Sequence, residues 1–308
     1  MRIGFISINA QSTALATYVL SLLSLASQAP AQEVEPLLIE PIHRVTHEQP
    51  AEETTHVATR IAPKVPQSPL NLEKLDPTEH PLMPALRMAK GSLQLIDQNI
   101  QDYSAILYKQ ERIGGTLHDE EVAYIKVRHQ PFSVYMYFLK PHKGRECLYV
   151  DPENGEKGIL HARDCGMLRK LGKFELDPDG PLAMKGQKYP ITKIGIRNLT
   201  TELVDVATND IQFGECEVTS SQRTLQKRPV TVLDVIHPTP RRNFRYHRAQ
   251  LFIDNQLRMP TRYVAYLWPS ETENTPPLEE SYTYTNLKIN NGFTDLDFDP
   301  ENPEYFKK

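Results

Sequence analysis

Residues 125 to 162 read IKVRHQPFSVYMYFLKPHKGRECLYVDPENGEKGILHA, and this stretch decides the fold. It predicts three consecutive antiparallel strands, with turns at residues 140–145 and 152–155. Between Phe132 and Leu139 the side chains alternate, and both resulting faces carry large apolar residues. A strand with one solvated face would carry polar residues at every second position. We therefore expect both faces of this strand to be covered.

The first 31 residues have the pattern of a secretory signal peptide. An apolar run at residues 13–26 is followed by Ala29-Pro30-Ala31, small residues that suit cleavage by a signal peptidase. The alternative is an uncleaved anchor beginning at Ile3, but polar residues interrupt it and leave fewer than the roughly 20 apolar residues that a span needs. We expect export to the periplasm or cell envelope, with a mature chain that begins near Gln32.

The next 50 residues have the composition of a disordered linker. Residues 32–81 contain eight prolines and no aromatic residue, so they bury too little surface to offset the entropy of the chain. This leaves residues 82–308 as a single domain. The whole chain has 35 Lys and Arg against 39 Asp and Glu, a net charge of -4, which argues against general electrostatic binding of nucleic acid.

The domain combines two predicted helices with a long run of strands. Apolar residues recur at steps of three and four in two segments, near residues 84–101 and 190–207, and each predicts a helix with one apolar stripe. About ten segments with period-two patterning, the last at residues 278–289, predict antiparallel strands, interrupted by a loop at residues 161–189. We expect an α+β fold: a strongly curved antiparallel sheet, open as a half-barrel, with both helices on its concave side.

No segment carries a motif of enzymatic chemistry, such as a nucleophile elbow, a phosphate loop or a glycine fingerprint. The nearest approach to a metal site is a set of two histidines and two cysteines that lacks a Cys-x-x-Cys anchor: His142, Cys147, His161 and Cys165. Cys147 and Cys165 either form a disulfide or remain as small buried residues. We expect no enzymatic activity, cofactor or metal.

Two other groups of residues leave alternatives open. The basic residues at 241–248 either grip phosphate or lipid headgroups or flank a solvated hairpin. Six tyrosines on the predicted strands either line an aromatic pocket or pack within the sheet: Tyr135, Tyr137, Tyr263, Tyr266, Tyr282 and Tyr284.

Five sequence motifs resemble those of the bacterial family called domain of unknown function 1571, over about residues 82–305. They are P-F-S-V at 131–134, L-K-P-x-K-G-R-E at 139–146, Y-P-I-T-K-I-G at 189–195, F-I-D-N-Q-L-R-M-P at 252–260 and Y-T-N-L-K-I-N-N-G-F at 284–293. The family carries no assigned activity, so this resemblance implies a fold and leaves the function open.

A weaker resemblance reaches the LolA/LolB/RseB superfamily of envelope lipoprotein carriers and sensors. It rests on R-x-x-P-F at 128–132, Y-V-D at 149–151 and the strand-turn-strand pattern at 253–262. The resemblance implies an open half-barrel whose concave apolar face holds acyl chains. The insertion at residues 162–211 and the long linker depart from that pattern, and no motif matches the transfer of lipid to a receptor.

Three functions remain as hypotheses, of which the first is a non-enzymatic protein that binds a lipid, an acyl chain or another apolar ligand. The second is an envelope protein with a filled barrel that acts in structure or sensing through other envelope proteins, and the third is a hydrolase with an unrecognised site. For the first, we expect a ligand groove between the first helix and the sheet, lined by Leu86, Leu93, Ile96, Phe132, Val134, Met136, Phe138, Ile253, Tyr263, Ala265 and Leu267.

Overall fold

The computed structural model describes Leu72 and residues 76–152, 154–270 and 274–307. The predicted signal peptide and nearly all of the predicted linker lie outside the described residues. The last residues before the domain make contacts with it: the Glu79 carboxylate accepts hydrogen bonds from Arg87 at 2.6 and 3.0 Å, and Nε2 of His80 lies 2.8 Å from the carbonyl oxygen of Phe213. The division of the chain into signal, linker and domain stays a prediction.

Antiparallel strands dominate the described part of the chain. They are β1 Asp102–Ile113, β2 Thr116–Leu117, β3 Glu121–His129, β4 Phe132–Lys140, β5 Glu146–Val150, β6 Leu160–Arg163, β7 Phe174–Leu176, β8 Glu217–Leu225, β9 Arg228–Ile236, β10 Arg248–Asp254, β11 Pro260–Tyr266 and β12 Leu278–Ile289. Eleven of them form one sheet in the order β7-β6-β5-β4-β3-β1-β12-β11-β10-β9-β8, and β2 pairs only with β1. The sheet is open because β7 and β8 end it without pairing to each other. The predicted antiparallel sheet is confirmed.

The predicted loop at residues 161–189 is wrong in one respect. It contains most of β6 and the whole of β7, which pairs with β6 at the edge of the sheet. The three residues of β7 are exposed or half-buried, so the strand has no apolar alternation from which it could be predicted. A 3₁₀ helix at Gly166–Leu171 lies between the two strands.

Two helices, α1 at Met83–Asn99 and α2 at Ile196–Asp210, pack against each other and against one face of the sheet. Ile96 of α1 and Ile196 of α2 belong to the same buried cluster as Val134 and Met136 of β4. The second helix begins six residues later than predicted, because Ile191–Lys193 forms a 3₁₀ turn before it. Within the described residues, neither helix is long and apolar enough to cross a bilayer.

The opposite face of β4 is covered by the C-terminal segment, residues 293–306. Tyr305 stacks on Tyr135 with the ring centroids 3.9 Å apart, and Phe298 joins both in one buried cluster. The Glu146 carboxylate accepts hydrogen bonds from the Tyr135 hydroxyl at 3.0 Å and from the Phe306 backbone at 2.8 Å. Both faces of β4 are therefore buried, as its alternation predicts.

Candidate functional site

A cavity of about 300 Å³ lies between the two helices and the sheet. We call it the first cavity; its walls come from α1, α2, residues 187–195 and strands β1 and β9–β12. One part of the wall is apolar: Leu82, Ala85 and Leu233 belong to a buried cluster against which Leu251 packs, and all four face the cavity. Leu203 and Val206 of α2 add to the apolar lining.

Another part of the wall is polar and centres on the buried carboxylate of Glu280. It accepts hydrogen bonds from the hydroxyl of Tyr246 at 2.7 Å and of Tyr189 at 3.0 Å, and Lys188 forms an ion pair with it. Burial raises the pKa of Tyr189 to about 12, and burial also raises the pKa of Tyr246. Both phenols therefore remain protonated and can donate to the carboxylate at neutral pH.

The carboxylate of Glu111 is engaged in the same way. It accepts hydrogen bonds from the Tyr282 hydroxyl at 2.6 Å and the Lys188 backbone at 3.0 Å, and it lies 3.4 Å from Nζ of Lys109. Lys109 also pairs with Glu121 at 2.9 Å. Buried charges that are paired and hydrogen-bonded can be kept within a fold. The side chains of this polar wall are thus held in place by a network of hydrogen bonds and ion pairs.

A buried acid-base pair lies at the end of α2. Oδ2 of Asp210 is 3.4 Å from Nε2 of His237, and both residues line the first cavity. The imidazole stacks on Phe244, and its Nδ1 lies 3.1 Å from the carbonyl oxygen of Tyr246. Burial raises the pKa of Asp210 to about 6 and lowers that of His237. The pair joins the C-terminal end of α2 to the end of β9.

A second cavity, of about 390 Å³, lies on the other half of the sheet. Strands β4, β5 and β6 contribute Met136, Phe138, Cys147, Leu160 and Ala162. The segment that follows β6 supplies further apolar residues, and the charged residues of its wall are Arg145, Arg163, Lys185 and Asp164.

The structure places the residues of the predicted groove in the cavity walls, in the buried core and at half-buried positions. Tyr263 lines the first cavity, and Met136 and Phe138 line the second. Five are buried among core residues: Leu86, Ile96, Val134, Ile253 and Ala265. Leu93, Phe132 and Leu267 are half-buried. The structure thus distributes the predicted groove over two cavities and the buried core, and a ligand at these residues stays a prediction.

The polar wall was not predicted from the sequence. Leu107, Lys109 and Glu111 occupy alternate positions of β1, so an inward-facing apolar position is followed by two inward-facing charges. This change from apolar to charged side chains along one face of β1 is the sequence feature from which the polar wall could be predicted. Of the tyrosines that the sequence singled out, Tyr263, Tyr282 and Tyr284 line the first cavity, whereas Tyr135 and Tyr137 lie in the cluster on the opposite face.

The other candidate groups have ordinary structural roles. In the basic stretch at residues 241–248, three of the four arginines form ion pairs with carboxylates: Arg241 with Glu215, Arg245 with Glu202 and Arg248 with Asp234. All three cysteines are free. Over the described ranges, no three His, Cys, Asp or Glu side chains group in a way that could hold a metal ion.

A family model described as "Protein of unknown function (DUF1571)" matches residues 100–306. No curated protein matches the sequence. Similar solved structures include a putative outer membrane lipoprotein-sorting protein domain from Vibrio parahaemolyticus, with 12% identity, 72% of this chain and 98% of that chain covered and a TM-score of 0.35. The lipoprotein LppX of Mycobacterium tuberculosis has 10% identity, coverage of 68% and 98% and a TM-score of 0.39. A LolA superfamily protein from Nitrosomonas europaea has 12% identity, coverage of 69% and 98% and a TM-score of 0.28.

Proposed function

The chain belongs to the DUF1571 family of unknown function, and we propose that it is an exported, non-enzymatic protein that holds the apolar chain of a lipid in the first cavity. The observation that carries the proposal is the combination of a cavity of about 300 Å³ with an apolar wall at one part and a networked polar wall at another. Ligand sites typically have this composition, in which apolar contacts supply affinity and a few fixed polar groups orient the ligand.

The apolar wall is suited to an acyl chain. Leu82, Ala85, Leu233 and Leu251 offer aliphatic contacts from α1 and two strands, and Leu203 and Val206 approach from α2. Each methylene that leaves water contributes roughly 0.8 kcal/mol, so ten methylenes contribute about 8 kcal/mol before the cost of ordering the chain. A longer chain contributes in proportion to the methylenes it buries, and we expect such a lipid to co-purify with the protein.

The polar wall supports binding over catalysis. Glu280 and Glu111 each accept several hydrogen bonds from tyrosine hydroxyls, a lysine or the backbone. A carboxylate engaged in this way is a poor general base, because its lone pairs already have donors. The tyrosine hydroxyls and carboxylates instead form a fixed polar surface that the headgroup of a lipid can contact.

The test compares two cavity-filling variants of the exported chain. Ala249 of β10 lines the first cavity, and Ala162 of β6 lines the second, so Ala249→Phe and Ala162→Phe add the same bulk to different cavities. Native mass spectrometry and organic extraction should find a lipid on the wild type and on Ala162→Phe, and little or none on Ala249→Phe. Circular dichroism confirms that all three proteins are folded.

Two outcomes contradict the proposal. If the wild-type protein carries no apolar adduct and, after delipidation, binds no fluorescent fatty acid, the first cavity is not a lipid site. If Ala162→Phe loses the lipid and Ala249→Phe keeps it, the ligand occupies the second cavity. A protein without ligand in every assay favours the role of an envelope interaction protein.

A further inference from the structure

The first cavity contains a buried carboxylate that lacks a hydrogen-bond donor. Asp210 is 4% exposed and lines this cavity, and no group in the described part of the chain donates a hydrogen bond to its side chain. Glu111 and Glu280, in the polar wall of the same cavity, each accept several hydrogen bonds. Buried carboxylates are normally paired and hydrogen-bonded, because an ionised group without partners is costly to bury. Asp210 therefore has room for a donor from a ligand.

His237 does not supply this donor. Its Nδ1 lies 3.1 Å from the carbonyl oxygen of Tyr246, which can only accept, so Nδ1 carries the proton of the neutral ring. Nε2 then carries a lone pair; it lies 3.4 Å from Oδ2 of Asp210 and has no hydrogen-bond partner among the described residues. Burial lowers the pKa of His237, which keeps the ring neutral at neutral pH. The two side chains thus present acceptors to each other.

Two further basic groups act on Asp210 through space, and both are engaged elsewhere. Arg245, which also lines the first cavity, forms an ion pair with Glu202. Nδ1 of His80 accepts a hydrogen bond from the backbone at 3.1 Å, and its Nε2 lies 2.8 Å from the carbonyl oxygen of Phe213. The ring of His80 is therefore the neutral form that donates from Nε2. Neither group neutralises Asp210 by direct contact.

The apolar wall of the first cavity leads to this carboxylate from two elements. On α2, four residues of one face line the cavity: Leu199, Leu203, Val206 and Asp210. On β9 and the residue that follows it, three alternate positions line the cavity: Leu233, Val235 and His237. Both apolar faces thus end in a polar residue at the same place. Tyr246 connects this place to the polar wall, because its hydroxyl donates to Glu280 while its carbonyl oxygen faces His237.

We propose that the first cavity selects a lipid whose headgroup carries a primary ammonium group, which donates hydrogen bonds to Asp210. This inference rests on the proposed function and names the headgroup that the cavity prefers. Two features favour a cation over a neutral hydroxyl: the charge of the carboxylate, and the end of α2 at Asp210, where the helix dipole is negative. A primary ammonium group neutralises the carboxylate and also supplies the donors that it lacks.

The test offers the delipidated protein equal amounts of lysophosphatidylethanolamine and lysophosphatidylcholine with the same acyl chain. Native mass spectrometry measures the ratio of the two adducts. Both headgroups are zwitterionic, but only the ethanolamine has N–H donors. The variant Asp210→Asn removes the charge at similar size, and Asp119→Asn is its matched control, because Asp119 is exposed and lies outside the walls of both cavities. Thermal melts verify that both variants fold.

We expect the wild type and Asp119→Asn to prefer the ethanolamine lipid by about tenfold or more, the scale of a hydrogen bond to a charged group. Asp210→Asn should bring the ratio close to one. A ratio of one in the wild type overturns the inference and leaves the proposed function intact, since the acyl chain still binds. A preference that survives in Asp210→Asn also overturns it, because the smaller size of the ethanolamine headgroup then explains the ratio.

Two controls separate this inference from its neighbours. Failure of the wild type to bind either lipid contradicts the proposed function and this inference together. Ethanolamine without an acyl chain should not displace the bound lipid, because most of the affinity comes from the buried methylenes. Displacement by ethanolamine alone would assign the site to a free amine, and the choice of a lipid headgroup would be wrong.

Discussion

Replacing Asp210 by asparagine should stabilise the domain at pH 8 and leave its stability almost unchanged at pH 4. Burial raises the pKa of Asp210 from 3.8 to about 6. A group whose pKa is raised by folding contributes stability that is fully present below its unfolded pKa and is lost as the pH rises through its folded pKa. Ionisation of Asp210 therefore destabilises the wild type as the pH rises from about 4 to about 6. The asparagine variant has no group that ionises at this position, so it does not lose this stability.

The gain in stability expected for Asp210→Asn follows from the size of the pKa shift of Asp210. A rise from 3.8 to about 6 is roughly two pKa units, and at 1.36 kcal/mol for each unit this sets an upper limit of about 3 kcal/mol. The carboxylate lies 3.4 Å from His237, and any charge on that imidazole would reduce the gain. For a domain of this size, 1 kcal/mol moves Tm by roughly 2–4 °C, so we expect a rise of up to about 10 °C at pH 8.

The assay is thermal and urea unfolding of the wild type and Asp210→Asn at intervals from pH 4 to pH 8. Asp205→Asn is the matched control, because Asp205 lies on the same helix and is exposed. Its stability should follow that of the wild type across the range. The reasoning is refuted if Asp210→Asn is destabilised at pH 8, or if its gain is the same at pH 4 and pH 8.

Three further predictions concern the fold. Tyr305→Ala should lower the free energy of unfolding in urea by about 3 kcal/mol, because the ring stacks on Tyr135. Tyr305→Phe keeps the stacked ring and should lower it by about 1 kcal/mol. Equal losses in the two variants would contradict the role of stacking. Gly195→Ala should cost roughly 1–3 kcal/mol, because φ is 115° and a new Cβ would lie 3.1 Å from the Tyr103 hydroxyl; an unchanged urea midpoint would show that this turn relaxes. All three cysteines should react with a thiol reagent in denaturant without reduction, and a count of one would reveal a disulfide.

The strands were predictable where one residue in two is apolar. The range of β12, Leu278–Ile289, coincides with its prediction from the sequence, and β4 was predicted with both faces buried. Strand β7 was missed, since its three residues depend on pairing with β6 and not on an apolar face. Local patterning thus identifies strands that bury side chains, and an edge strand held by its neighbour's backbone leaves no such pattern.

The candidate site was less predictable than the fold, because a cavity is a property of packing. Val134 and Tyr263 both carry the pattern of inward-facing strand residues, yet the first is buried in the core and the second lines a cavity. The sequence cannot separate these outcomes, since both need an apolar residue at an inward position. Glu111 and Glu280 lie about 170 residues apart in the chain and meet only after β1 and β12 pair.

The most direct test of lipid binding in the first cavity is photo-crosslinking. A fatty acid with a diazirine near its methyl end is bound to the delipidated protein and irradiated, and the modified residues are located by peptide mass spectrometry. We predict adducts on the apolar wall, at Leu203 and Val206 of α2 and at Leu251 of β10. Adducts confined to residues 166–182 or to the C-terminal segment would contradict the account.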